Sequence, residues 1–300
     1  MKIRIGISTC PNDTFAFSPL LDKRLDTDGL EFEFCLLDVQ ELNERLRAGD
    51  LDVGKASFHA ALSLSERYGV FAAGAALGFG NGPLLLARPG ITGSSSASIN
   101  LGTPDRGSQE PVSRVVGPNA SARVLCPGQD TTAHLLFRLF YPGVDQVDQV
   151  VFSEIAPALL SGRADYGVCI HEGRFTYHQQ GLGLVEDLGQ RWEMETGSPL
   201  PLGGILGRLD LGAEVLGRIS RLIQASVRTA LTQRELALPM MRFYAQEFAD
   251  EVLWAHVDLY VNRWTVDLGR VGLSALQELG RRAATCGLVA GEPQWTIISA

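Results

Sequence analysis

The sequence predicts an α/β protein whose mainly parallel strands form two lobes around a central ligand cleft. Three observations carry this reading. Strand-like and helix-like segments alternate through the N-terminal part of the chain. A frame, G-x-x-D-x-G, occurs at Gly49, Asp52 and Gly54 and returns at Gly162, Asp165 and Gly167, each time after a helical pattern and before a strand. Two apolar runs, residues 82–90 and 199–212, are placed to cross between lobes. The expected first lobe is therefore residues 1–88 plus 204–300, and the second is residues 89–203.

The first strand is read from Ile3, Ile5 and Ile7, which alternate with Arg4 and Gly6. It stops at TCPNDTF, residues 9–15, where Pro11 removes a ladder donor and holds Cys10 extended. Asn12, Asp13 and Thr14 are N-cap residue types ahead of the apolar Phe15, Phe17, Leu20 and Leu21. Such strand-to-helix turns line the ligand crevice of open α/β sheets, and their N–H groups favour anions, although a plain structural turn has the same pattern. Residues 30–37 predict a second strand and residues 39–48 a helix that Gly49 ends. In the second lobe a helix around residues 155–160 leads into the strand of the repeated frame.

Residues 91–122, rich in Gly, Ser and Pro, read as a loop or extended hairpin. The clearest helix of the second lobe lies in PGQDTTAHLLFRLFYPG, residues 127–143. There Gly128 permits a tight approach, Asp130 or Thr131 caps, Leu135, Leu136, Leu139 and Phe140 form one face, and Pro142 stops it. After the second crossing the pattern turns helical, with helices expected at 215–231, 239–248 and 250–261, packed on the first lobe.

Composition narrows the function. With 26 basic against 34 acidic residues the net charge is −8, which argues against nucleic acid or an anionic membrane as partner. Five scattered cysteines show no zinc spacing, and no run approaches the roughly 20 apolar residues of a membrane span. The charged start lacks a leader pattern, so a cytoplasmic protein is expected. Walker A, G-x-S-x-G and H-E-x-x-H motifs are missing, so no nucleotide or metal cofactor is expected.

Candidate chemistry concentrates at strand ends and helix starts. Lys55 and Ser57 end the first framed strand, and His171 and Glu172 end the second. His171 is the histidine best placed to exchange protons with a ligand, or else it hydrogen-bonds a loop. Thr131 and Thr132 offer two hydroxyls at a helix start, either for a carboxylate or simply for capping. Lys55 is a carboxylate partner, a Schiff-base former or a solvated lysine. Cys10 is a nucleophile candidate or a small packed residue.

Taken together, STCPNDTF, KASFHA, PGQDTTAHLL, IHEGRFTY, GSPLPLGGIL and DEVLWAHVDLYVN, in that order along most of the chain, resemble the 1,4-dihydroxy-6-naphthoate synthase family of the futalosine route to menaquinone. The resemblance implies a periplasmic-binding-protein type II fold and conversion of cyclic dehypoxanthine futalosine, a small carboxylate, by carbon–carbon cleavage without a cofactor. It further implies His171 as proton acceptor. Substrate contacts are implied at Lys55, Ala56, Ser57, Thr131 and Thr132, with Asn12 of the opening turn as a further candidate. Residues 91–122 are longer than the family has at that point. A solute-binding protein and a chorismate dehydratase, which share the fold, are the competing readings, and the His171 motif counts against both.

Overall fold

The computed structural model describes residues 1–91, 116–170, 173–245 and 249–299. The chain enters through β1 (Lys2–Ser8), α1 (Pro11–Leu21), β2 (Glu31–Leu37), α2 (Val39–Ala48), β3 (Val53–Ser57) and α3 (Phe58–Leu64), then adds β4 (Tyr68–Phe71) and β5 (Ala76–Gly78). It crosses to β6 (Leu84–Ala87), β7 (Val124–Cys126), α4 (Thr132–Phe140), β8 (Val147–Gln149) and α5 (Phe152–Leu160). The same lobe continues with β9 (Tyr166–Cys169), α6 (Gly173–Thr176), β10 (Gly183–Asp187) and α7 (Leu188–Thr196). β11 (Leu200–Arg208) returns, followed by α8 (Ala213–Thr232), α9 (Leu238–Tyr244), α10 (Asp250–Tyr260), α11 (Arg263–Val266), α12 (Gly269–Thr285) and β12 (Ile297–Ile298).

Among the described residues, hydrogen bonding sorts the strands into two sheets. One is seven-stranded, in the order β12-β4-β11-β3-β1-β2 with β5 beside β11; the other is five-stranded, β10-β6-β9-β7-β8. Sheet membership places the crossings slightly earlier than the sequence reading does. β6 lies wholly in the second sheet, and β11 joins the first from Leu200 rather than from residue 204. The reason is burial: the Leu84–Leu86 run is covered on both faces, as only an inner strand between β9 and β10 can be. Most of the expected loop, residues 92–115, lies outside the described residues, as do residues 246–248 at the end of the helix expected at 239–248. Among the described residues no helix is long and apolar enough to cross a membrane.

The repeated frame performs the same task in both lobes. β2-β1-β3 and β8-β7-β9 are parallel triplets of identical order. In the first, Asp52 Oδ2 accepts from Arg4 N at 2.9 Å while Asp52 N donates to Arg4 O at 3.0 Å. In the second, Asp165 Oδ2 accepts from Arg123 N at 3.1 Å while Asp165 N donates to Arg123 O at 3.0 Å. Each arginine also folds its guanidinium onto the same carboxylate. Gly49 and Gly162 make the preceding turns at φ 82° and 71°, and a Cβ at Gly54 or Gly167 would press on Leu46 or Ile155 of the preceding helix. The frame is the signature of a β-α-β-α-β unit built twice.

Removing this device has a readable consequence. Asp52→Asn is expected to lower the unfolding free energy by about 1–3 kcal/mol, measured by denaturant titration. Burial opposes ionisation of Asp52, yet the hydrogen bonds and charge of Arg4 hold its carboxyl below the ordinary range, and Arg123 and Arg88 do the same against burial at Asp165. A carboxyl with a depressed folded pKa contributes stability above its unfolded pKa of about 4 and loses it as pH falls through the folded value. Acid titration below about pH 4 should therefore destabilise the wild type more steeply than the variant.

Under the first sheet, Ile3, Ile5 and Ile7 are fully buried against Phe17 and Leu20 of α1 and Ile219, Ile223 and Val227 of α8. A second core runs from Leu42, Leu46 and Phe58 to Leu85, Val168 and Trp192, joining the lobes. The start of α1 departs from expectation. Its N-cap is Cys10 with no side-chain cap bond, and Asn12, Asp13 and Thr14 lie inside the helix. Pro11, which has no N–H to satisfy and a fixed φ, takes the first helical position and moves the boundary forward. The side chains of Asn12 and Asp13 are thereby released for other work.

Candidate active site

Between the sheets lies a cavity of about 100 Å3, partly open to solvent. Asn12, Lys55, Ala56, Ser57, Thr131 and Thr132, spread over both lobes, all line it. His171 and Glu172 lie outside the described residues; the preceding Ile170 lines the cavity.

Asp13, read from the sequence only as a cap, organises the α1 wall from behind. Its Oδ1 accepts from Lys55 Nζ at 2.7 Å and from Asn12 Nδ2 at 2.8 Å, and its Oδ2 accepts from Ser8 Oγ at 2.7 Å and Ser8 N at 3.3 Å. The Lys55 and Asp13 side chains are only 7% and 3% exposed, so the ammonium is held in a buried ion pair. Room for the lysine comes from Gly203 on the neighbouring β11, where a Cβ would meet Lys55 Cε at 3.3 Å.

The same carboxylate orders a longer chain of bonds. Because Asp13 can only accept, Asn12 must turn its Nδ2 towards it and its Oδ1 towards His256 Nε2, 3.0 Å away. Oδ1 accepts only, so His256 carries its proton on Nε2 in this network. His256 is buried on α10, lines the cavity, and lies over Tyr260 with ring centroids 4.5 Å apart. Burial pushes the Tyr260 phenol well above its ordinary range and keeps it neutral. A helical pattern does not single out His256 in the sequence; its i, i+4 spacing from Tyr260 is the available signal. His256→Leu is expected to destabilise the fold by about 1–3 kcal/mol, and His256→Gln by less because its Nε2 can still donate to Asn12; urea unfolding distinguishes them.

On the α4 wall the hydroxyls serve the protein itself. Thr131 Oγ1 accepts from His134 N at 3.2 Å and donates to Gly128 O at 2.7 Å, the N-cap arrangement. Thr132 Oγ1 donates to Leu202 O at 2.7 Å and accepts from His59 N at 3.3 Å, which ties α4 to the first sheet. The backbone N–H groups of Thr132 and Ala133 have no acceptor among the described residues, and both residues line the cavity. These are the free donors of this wall, at the positive end of the α4 dipole.

Polar bonds close the cleft beside this wall. Ser57 Oγ donates to Asp130 O and accepts from Asn43 Nδ2 at 3.0 Å. The Asp130 carboxylate pairs with Arg47 at 2.7 Å; burial opposes its charge, but Arg47 and Gln40 hold its carboxyl below the usual range. Gly128 sits at φ 115° directly against Gln40, where a Cβ would meet Oε1 at 2.6 Å. On the other side, Arg174 of α6 donates to Gly82 O and to Asp187 Oδ2, both at 2.5 Å. That fixes the segment following residue 172 to the first crossing and to β10. Cys10 lines the cavity as the N-cap residue of α1.

Comparison with known proteins bears on the family and the fold. The family model described as "Menaquinone biosynthesis" matches residues 3–285. The chain is 39% identical over 292 residues to the 1,4-dihydroxy-6-naphtoate synthase of Thermus thermophilus, covering 97% of each chain. It is 37% identical over 293 residues to the enzyme of the same name from Streptomyces coelicolor, covering 96% of this chain and 94% of the relative. A crystal structure of a protein from Archaeoglobus fulgidus superposes with a TM-score of 0.81 at 29% identity, over 96% of this chain and 98% of that one. The periplasmic aliphatic sulphonate binding protein of Escherichia coli superposes with a TM-score of 0.58 at 13% identity, over 100% of this chain and 94% of that one, and shares the fold alone. The architecture is thus that of the periplasmic binding proteins, two α/β lobes with a cleft between them. With the family match running through nearly the whole chain and both lobes, the protein belongs to the menaquinone biosynthesis family.

Proposed function

We propose that this protein forms 1,4-dihydroxy-6-naphthoate from cyclic dehypoxanthine futalosine, as a carbon–carbon lyase with His171 as general base. The observation that carries the reading is identity of 39% and 37% to two proteins of that name across almost the full length of each. The cleft suits such a substrate. Its carboxylate fits the N–H groups of Thr132 and Ala133, and its sugar-derived hydroxyls fit the polar α1 wall of Asn12, Lys55 and Ser8. His171 removes a hydroxyl proton, the freed electron pair forms a carbonyl as the adjacent carbon–carbon bond breaks, the pair from that bond passes into the ring fragment, and aromatisation of that ring drives the collapse. The reading places the reaction in the cytoplasm, in keeping with five cysteines of which none is in a disulfide.

The test is incubation of purified protein with cyclic dehypoxanthine futalosine, with product detection by mass spectrometry and chorismate as a parallel substrate. Dihydroxynaphthoate from the first compound only is the expected result. Folded protein that leaves it untouched, or that dehydrates chorismate, overturns the assignment.

A further inference from the structure

The two lobes present equivalent helix starts to one cavity, because α1 follows β1 and α4 follows β7, the central strands of matching parallel triplets. Their charge is not equivalent. α1 carries an acidic residue of its own in its first turn, Asp13, whereas the first turn of α4 has none. Asp13 is 2% exposed and sits 2.7 Å from Lys55 Nζ, so the pair is shielded from solvent and its net charge is zero. The acid beside α4, Asp130, is already matched by Arg47 at 2.7 Å, and the Thr132 and Ala133 N–H groups stand without an acceptor among the described residues.

We propose that Asp13 sets the polarity of the cleft: by neutralising Lys55 it reserves the α1 wall for uncharged oxygen atoms and sends the carboxylate of the ligand to the α4 wall. This deepens the function proposed above and rests on it for the ligand class, a fused-ring monocarboxylate with a polyhydroxy end. Asn12 supports the arrangement. With one N–H on Asp13 and its oxygen on His256, it has one N–H without an acceptor among the described residues, which can donate to a hydroxyl or carbonyl. A carboxylate on this wall would instead be desolvated beside a second buried carboxylate, so the ligand enters one way round.

The experiment is calorimetric titration with 2-naphthoate and 2,6-naphthalenedicarboxylate, which differ by one carboxylate at the far end. Wild type is expected to bind the two with affinities within about threefold of each other. Asp13→Asn leaves Lys55 without its counter-charge and should favour the dicarboxylate by about tenfold or more, the scale of one charge-assisted bond. Asp13→Asn with Lys55→Met removes both charges and should abolish that preference. A wild type that already favours the dicarboxylate about tenfold overturns the proposal, as do an Asp13→Asn variant no more selective than wild type and a wild type that binds neither probe. The wild-type arm needs no variant, and circular dichroism confirms that each variant is folded. A wild type showing the expected binding pattern but no turnover of the futalosine compound breaks the functional reading and leaves the role of Asp13 standing.

Discussion

His171→Ala is expected to lower kcat by about 10²–10⁴-fold, the usual contribution of a positioned general base. The chain is held on either side of that residue. Before it, β9 is an inner strand paired with β6 and β7, and Ile170 reaches the cavity wall. After it, Arg174 locks α6 to Gly82 O and Asp187. On the proposed reading the base lies between two such anchors and other residues bind the substrate, so binding should survive its loss. Single-turnover rates should fall while the dissociation constant of the substrate stays within about threefold of wild type. Turnover by the variant within about threefold of wild type would remove His171 from the mechanism.

What the sequence revealed and what it concealed follow from the range of the interactions. The strand–helix alternation and α8 and α10 are set by local periodicity, and they stand where the pattern puts them. The G-x-x-D-x-G frame was legible as a repeat because its glycines answer to local backbone demands. Its aspartate was not explained, since its partner is a strand start 48 residues away in one copy and 42 in the other. The same limit hid the α1 wall. Asp13 reads as a cap residue because its neighbours are cap residues, while its partner Lys55 lies 42 residues on and the His256 that meets Asn12 lies 244 residues on. The cleft hydroxyls show the converse. Ser57, Thr131 and Thr132 line the cleft, yet their Oγ atoms are taken by backbone groups, and the donors left on the α4 wall among the described residues are main-chain N–H groups that residue type does not reveal.

Lys55→Met is expected to be among the most damaging single substitutions for stability, lowering the unfolding free energy by about 3–5 kcal/mol. Met matches the lysine stem in volume, so little cavity is created; what remains is the Asp13 carboxylate, 2% exposed and without its cation. Ser8 and Asn12 still donate to it, but neutral donors do not replace an ammonium at 2.7 Å. Adding Asp13→Asn to Lys55→Met should recover most of the loss, because a buried ion pair replaced by neutral groups of similar shape is often nearly neutral in free energy. Guanidinium titrations of both single variants and the double variant close a double-mutant cycle on the pair. A strong positive coupling is the expected result, and additive losses would mean that the two side chains are not charged partners in the fold. The cycle also separates two reasons for keeping a charged pair in the cleft. If the neutral double variant is as stable as wild type, stability is not the reason for keeping the pair, since hydrophobic or amide groups would have served the fold as well, and ligand orientation by the Asp13 charge is the reason left.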